Sequence, residues 1–216
     1  MKTPYQFLAL IGLAVLSQLE LTAAPKKLGY PSFLSPHARP ILVHENRVFV
    51  VNTPSDTVDV IDAKSRKITR RIDVGIDPVS LAIRPDGREL WVANHVSDSV
   101  SVIDINPKSR TYLRVVDTVQ DFDLRTKTTR FDEPVGIAFT GDSRKAYVAL
   151  SSEDTIAVID VPSRQVIDSL NIRSQDPRAL AVAGNRLYVV AFESGNQTQV
   201  SGCRAEDIDG ELCTFD

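Results

Sequence analysis

Apolar and polar positions along this chain alternate in short bursts, and the bursts recur as a phrase. Residues 91–104 read WVANHVSDSVSVID: an apolar run, a polar turn, an alternating run and a closing acid. The same order of properties returns as VFVVNTPSDTVDVID over 48–62 and as AYVALSSEDTIAVID over 146–160. A period of two sends successive side chains to opposite faces of an extended backbone, so the alternating runs predict strands. Val, Ile, Tyr and Trp dominate them because branched and aromatic side chains fit a pleated, half-buried surface. None of these segments sustains the i, i+3, i+4 spacing of an amphipathic helix.

Three independent markers measure the repeat. The VID triplets close at Asp62, Asp104 and Asp160; prolines open the units at Pro40, Pro78, Pro134 and Pro177; and an aromatic marks each apolar burst at Phe49, Trp91, Tyr147 and Tyr188. All three give a unit of about 40 residues, with one longer unit between Pro78 and Pro134, and that period with four strands per unit is a propeller blade. Within one unit, PVSLAIRPDG (78–87) predicts a buried inner strand closed by a Pro-Asp-Gly turn. RELWVAN (88–94) predicts the return, SVSVIDI (99–105) the third strand and RTYLRVVDTV (110–119) the outer one. The expected fold is all-β, a propeller of four-stranded antiparallel blades. Three units are complete and about half of a fourth is present. A single blade cannot bury its own faces, so its stability comes from its neighbours.

These residues resemble the YVTN-type β-propeller repeat, a WD40-like architecture. The signature stands here as FVVN (49–52), WVAN (91–94), YVAL (147–150) and YVVA (188–191), followed in three units by a polar turn and a run ending in VID: VDVID, VSVID and IAVID. The resemblance extends over 39–191. It implies fold more than function, since propellers of this kind bind unlike ligands. It also implies a bacterial, exported protein, and such propellers are often joined to c-type haem domains for periplasmic electron transfer or oxidation. The fourth unit departs from the pattern: PRALAVAGNRLYVVA (177–191) begins it, but no VxVID follows. The expectation is an N-terminal piece of a longer protein.

Composition adds compartment and excludes one class of partner. The chain has 216 residues, 43% of them hydrophobic, and a formal net charge of −3. No run of five Lys or Arg occurs, so nucleic acid is not an expected partner. Residues 7–16, FLALIGLAVL, follow a positive start and precede the small residues of LTAA. A membrane span needs about 20 apolar residues, so residues 1–24 read as a cleaved secretory signal that leaves no stable span. The chain then divides into a lead-in over 25–38, blades over 39–191 and a cysteine-containing segment over 192–216. Cys203 and Cys213 are an even pair, and an oxidising compartment makes their disulfide the default. No CxxCH occurs, so no cofactor is expected in this chain, and haem c is reserved for a region beyond it.

Candidate chemistry gathers on loops. In an up-and-down blade, the turn before the inner strand and the loop between the second and third strands lie at the same end. That end carries Asp77, Asn94, His95 and Asp98, and Glu193 follows the fourth apolar burst. The long unit adds QDFDLRTKTTRFDEP (120–134) at the same end, where its counterpart is the short turn GIDP (75–78). Arg125, Lys127 and Arg130 are offered there to an anionic partner or to an acidic neighbouring domain, offset by Asp121, Asp123, Asp132 and Glu133, with Phe122, Leu124 and Phe131 as anchors. His95 reads as a solvent-facing loop histidine. Asp56, Asp98 and Asp154 recur at one position and read as caps of their own turns, as do Asp62, Asp104 and Asp160. No Ser-His-Asp set, phosphate loop or paired-carboxylate signature stands out. The expected role is therefore a non-catalytic module presenting one face to a protein or a small-molecule ligand.

Overall fold

The computed structural model describes residues 36–193, which form sixteen strands and no α-helix. Blade 1 consists of β1 (Ile41–His44), β2 (Arg47–Asn52), β3 (Thr57–Asp62) and β4 (Lys67–Asp73), with a single 3-10 turn at Thr53–Ser55. Blade 2 consists of β5 (Pro78–Ile83), β6 (Glu89–Asn94), β7 (Ser99–Asp104) and β8 (Arg114–Val119). A two-stranded hairpin, β9 (Phe122–Asp123) and β10 (Thr128–Thr129), separates it from blade 3. Blade 3 consists of β11 (Pro134–Phe139), β12 (Lys145–Leu150), β13 (Thr155–Asp160) and β14 (Gln165–Asn171). The described part of the fourth unit is β15 (Gln175–Ala183) paired with β16 (Arg186–Glu193).

Each blade is an antiparallel meander in chain order, so the propeller expectation holds strand by strand. Two details differ. Residues 110–113 form part of a turn rather than the start of the outer strand, and the strand of the fourth burst runs on to Glu193. The signal segment, Cys203 and Cys213 lie outside the described residues. No helix among the described residues is long and apolar enough to cross a membrane.

Irregularities repeat along with the strands. The register slips after the opening proline in β5, β11 and β15, and again between the third and fourth strands at Val60/Ile61, Val102/Ile103 and Val158/Ile159. A bulge bends its strand and raises its twist, and here the bends recur at matching places in successive blades. The closing acids behave as expected. Asp62 accepts from the Ser65 N–H at 2.7 Å, Asp104 from Asn106 at 2.9 Å and Asp160 from Ser163 at 2.9 Å.

The core lies between blades. Along β6, Leu90 and Val92 face blade 1, packing with Phe49, Val58, Val60 and Leu81. The alternate residues Trp91 and Ala93 face blade 3 and pack with Val148, Leu150 and Ile159. A strand buried on both faces needs apolar residues throughout, which is why WVA is an unbroken burst. Burying each of these side chains contributes about 1.5–3 kcal/mol.

A polar cluster closes the seam between blades 2 and 3 at the end away from the hairpin. Glu89, whose side chain is 13% exposed, accepts from the Arg84 guanidinium at 2.9 Å and from that of Arg164 in blade 3 at 2.5 Å. Its second oxygen accepts from the Trp91 indole N–H at 3.0 Å. Burial by itself would raise the Glu89 carboxyl. Hydrogen bonds from Arg164 and Trp91, with the charges of Arg164 and Arg84, outweigh it and hold the group below its ordinary range.

Between blade 3 and the fourth unit the inner strands approach too closely for a side chain at Gly136. A methyl built there overlaps the Arg178 carbonyl oxygen and lies 3.2 Å from the Leu180 amide nitrogen. Both neighbours are backbone, held in the β15 ladder, so neither yields by a rotamer change. Gly136→Ala is expected to cost about 1–3 kcal/mol, as overpacking of a rigid site does. Urea denaturation of wild type and variant checks it; a loss below about 0.5 kcal/mol, the size of an ordinary surface change, would show that the two strands separate freely.

Candidate binding rim

The rim is built from one device used three times. Asp56, Asp98 and Asp154 sit at the ends of the loops between second and third strands, with left-handed φ of 55°, 47° and 52°. The carboxylate of each accepts a backbone N–H from the turn that opens the next blade: Asp77 to Asp56 at 2.9 Å, Glu133 to Asp98 at 3.0 Å and Asp176 to Asp154 at 2.8 Å. The three donors are themselves left-handed, with φ of 61°, 49° and 52°. The reading of these acids as caps of their own turns is thus corrected: each ties its blade to the following one. A short carboxylate suits the task because it tolerates positive φ and reaches an amide outside its own turn.

The donors also point back. The carbonyl of Asp77 accepts the His95 N–H at 2.9 Å, and the carbonyl of Glu133 accepts the Ser151 N–H at 3.1 Å. Connecting turns and second-to-third-strand loops therefore share one end, as the meander requires. Asn94 is buried and donates to the Ser99 and Ser101 hydroxyls at 3.1 and 2.9 Å. That makes it a support beneath the rim rather than part of its surface. His95 is not solvent-facing either: its side chain is 13% exposed and its Nε2 lies 3.9 Å from the Glu133 carboxylate. Folding lays the loop over the seam, and the polar neighbours that a loop position suggests come from a distant turn.

The hairpin rises from this rim. Its root is fixed: Phe131 is fully buried in the seam between blades 2 and 3, and Glu133 is held by Asp98. Its tip is exposed. Leu124 is 83% exposed and Phe122 47%, so of the three expected anchors only Phe131 anchors. Arg125 pairs with Asp123 at 3.6 Å and Arg130 with Asp121 at 3.3 Å, both side chains standing in solvent. Lys127 occupies the left-handed turn position and, with Phe122, Val96 and Asp98, lines a groove of about 370 Å³ between hairpin and rim. Glu193 ends β16 opposite Gln175, next to the third latch. Burial, reinforced by the charges of Asp132 and Glu133, raises the Asp98 carboxyl above its ordinary range although the Glu133 N–H opposes the shift.

Glu133 is the residue that sequence reasoning passed over. Besides donating to Asp98, it accepts the Ser151 hydroxyl on its carbonyl at 3.1 Å and on its carboxylate at 3.2 Å. Its place directly before Pro134, matching Asp77 before Pro78 and Asp176 before Pro177, was the available signal.

Repeated four-stranded meanders with apolar seams between them define a β-propeller, and the bursts at its second strands are similar to the YVTN repeat. Residues 29–131 match the YNCE-like β-propeller family. Over 146 residues the chain is 29% identical to protein NirF of Pseudomonas aeruginosa, covering 67% of this chain and 34% of that protein. A chain of Kuenenia stuttgartiensis hydrazine synthase superposes with a TM-score of 0.59 at 27% identity, covering 77% of this chain and 45% of that one. The β-propeller domain of Myceliophteria thermophila Cps50 (Swd1) reaches the same TM-score at 14% identity, covering 73% of this chain and 48% of its own, and shares the fold alone. The chain thus spans about a third of the curated relative and just under half of these solved chains.

Proposed function

We propose that this chain is the propeller part of an exported, non-catalytic binding module that engages a partner through the hairpin rim. The observation that carries the reading is the contrast within the hairpin: a root locked by Phe131 and the Asp98–Glu133 latch, and a tip exposing Phe122, Leu124 and Arg125. Exposed loops on a rigid scaffold are where binding residues concentrate, and aromatic and Arg side chains supply most interface energy. The acids Asp121 and Asp123 neutralise two of the basic residues, so contact area rather than charge dominates recognition.

The test places a photo-crosslinking amino acid at Leu124 in the full-length protein, expressed in its native host and irradiated in intact cells. A discrete adduct is expected from Leu124, and none from the same label at Ile68 on the outer strand of blade 1, which is also exposed. Absence of an adduct at Leu124, or equal labelling from Ile68, overturns the reading. A second reading, a propeller serving a c-type haem enzyme, rests on the resemblance to the YVTN-type repeat, and the likeness to a hydrazine synthase chain adds that such a propeller occurs in an enzyme. Since residues 1–216 hold no CxxCH, any covalently bound haem belongs elsewhere in such a protein, and a haemochrome spectrum of the full-length form distinguishes the two readings.

A further inference from the structure

The seam between blades 1 and 2 and the seam between blades 2 and 3 end differently at the rim. Between blades 1 and 2, Asn94, Ser99 and Ser101 form a buried, hydrogen-bonded group, and Gly75 of the connecting turn presses on it. A methyl at Gly75 would stand 2.6 Å from the Asn94 side chain and 2.5 Å from the Ser97 hydroxyl, so this seam is shut. At the matching positions of blade 3 stand Leu150, Thr155 and Ala157, and the glycine turn has given way to the hairpin. A cleft of about 370 Å³ opens there.

Its lining has two parts. Leu150, Ala157 and Val166 are apolar, and the first two are almost fully buried. Around them stand the carboxylates of Asp121, Glu153 and Asp168, against one cation among the described lining residues, Arg130, which Asp121 already engages at 3.3 Å. Where the hairpin replaced the turn, a polar seam became apolar in two of three positions, and acids exceed bases at its mouth. The volume falls in the range of small-molecule sites, which are apolar with a few orienting polar groups.

We infer that this cleft binds a small organic cation, an apolar body bearing an ammonium or amidinium group. The body lies on Leu150 and Val166, and the charge is set between Glu153 and Asp168. The site is separate from the hairpin tip, and its occupancy does not depend on the partner proposed for that tip.

The test uses the full-length protein, with phenethylamine as the cationic probe and phenethyl alcohol as its neutral counterpart, followed by NMR line broadening and calorimetry. Phenethylamine is expected to bind in the millimolar range or tighter, at least about tenfold more strongly than the alcohol. The double variant Glu153→Gln/Asp168→Asn changes exposed residues and is expected to weaken the amine about tenfold or more while leaving the alcohol unchanged. Ala157→Leu fills the floor and is expected to abolish binding of both. If Ala157→Leu does not fold, the carboxylate variant decides. No amine binding, equal binding of amine and alcohol, or an unchanged amine affinity in the carboxylate variant overturns the inference. Each of these results is independent of the crosslinking outcome at Leu124.

Discussion

Replacing Trp91 with Ala is expected to lower the stability of the protein by about 3–5 kcal/mol, the usual cost of deleting a large buried aromatic. Trp91 is fully buried in the seam between blades 2 and 3, and three interactions from two blades converge on it. Phe139 meets its ring edge-on with centroids 5.1 Å apart, the Arg164 guanidinium lies 5.3 Å from the ring centroid, and its indole N–H donates to Glu89 at 3.0 Å. Blades 2 and 3 are joined mainly by this seam, so a cavity there loosens the contact that holds them. Trp91 is the only tryptophan, so unfolding of the variant is followed by far-UV circular dichroism instead of fluorescence. Trp91→Phe retains most of the apolar area but leaves Glu89 one donor short, and is expected to lose about 1–2 kcal/mol. An alanine variant within about 1 kcal/mol of wild type would show that the seam does not depend on this ring.

Glu89→Gln is expected to destabilise the protein by about 2–4 kcal/mol at neutral pH, because it leaves two mostly buried guanidinium groups without their shared carboxylate. Arg84 and Arg164 are only 20% and 19% exposed, and solvent screens them poorly. Arg84 also pairs with Asp86, and Arg164 approaches Asp117 at 3.7 Å, so each keeps one weaker anionic neighbour. The effect has a defined pH dependence. The Glu89 carboxyl is held below its ordinary range in the folded state, so it contributes stability that is present above the unfolded value. That contribution is lost as pH falls through the lower, folded value. The gap between wild type and Glu89→Gln should therefore be widest near neutrality and close in acid, which a series of urea titrations at descending pH measures. A gap that widens on acidification would contradict the assignment. Glu89 and Trp91 are bonded to each other, so the double variant should lose less than the sum of the single losses.

The candidate rim was legible in part. The meander rule alone put Asp77, Asn94 and Asp98 at one end, because it depends only on strand order. What the side chains do there was not legible. Asp56, Asp98 and Asp154 have the residue type and φ preference of turn caps, and pattern reasoning assigned them to their own turns. Their partners lie 21, 35 and 22 residues away, brought near only when the next blade docks. His95 likewise reads as exposed until Glu133 arrives beside it. Asn94 reads as a loop residue until the neighbouring blade and Gly75 cover it.

The sequence by itself determined the strands, the blade period and the order of pairing. Each of these follows from local alternation, turn residues and short connections between antiparallel neighbours. It also marked the one long unit, since an insertion is visible as a broken period. The tertiary structure decided which face of each strand meets which blade, that the recurring aspartates bind across blades, and that Phe131 anchors the hairpin while Phe122 and Leu124 do not. It alone decided that one seam is sealed by Gly75 over Asn94 and the next stands open over Leu150. The division has a physical cause. A period of two is fixed by the geometry of a single extended chain, whereas a latch, an anchor or a cleft exists only between surfaces that distant residues bring together.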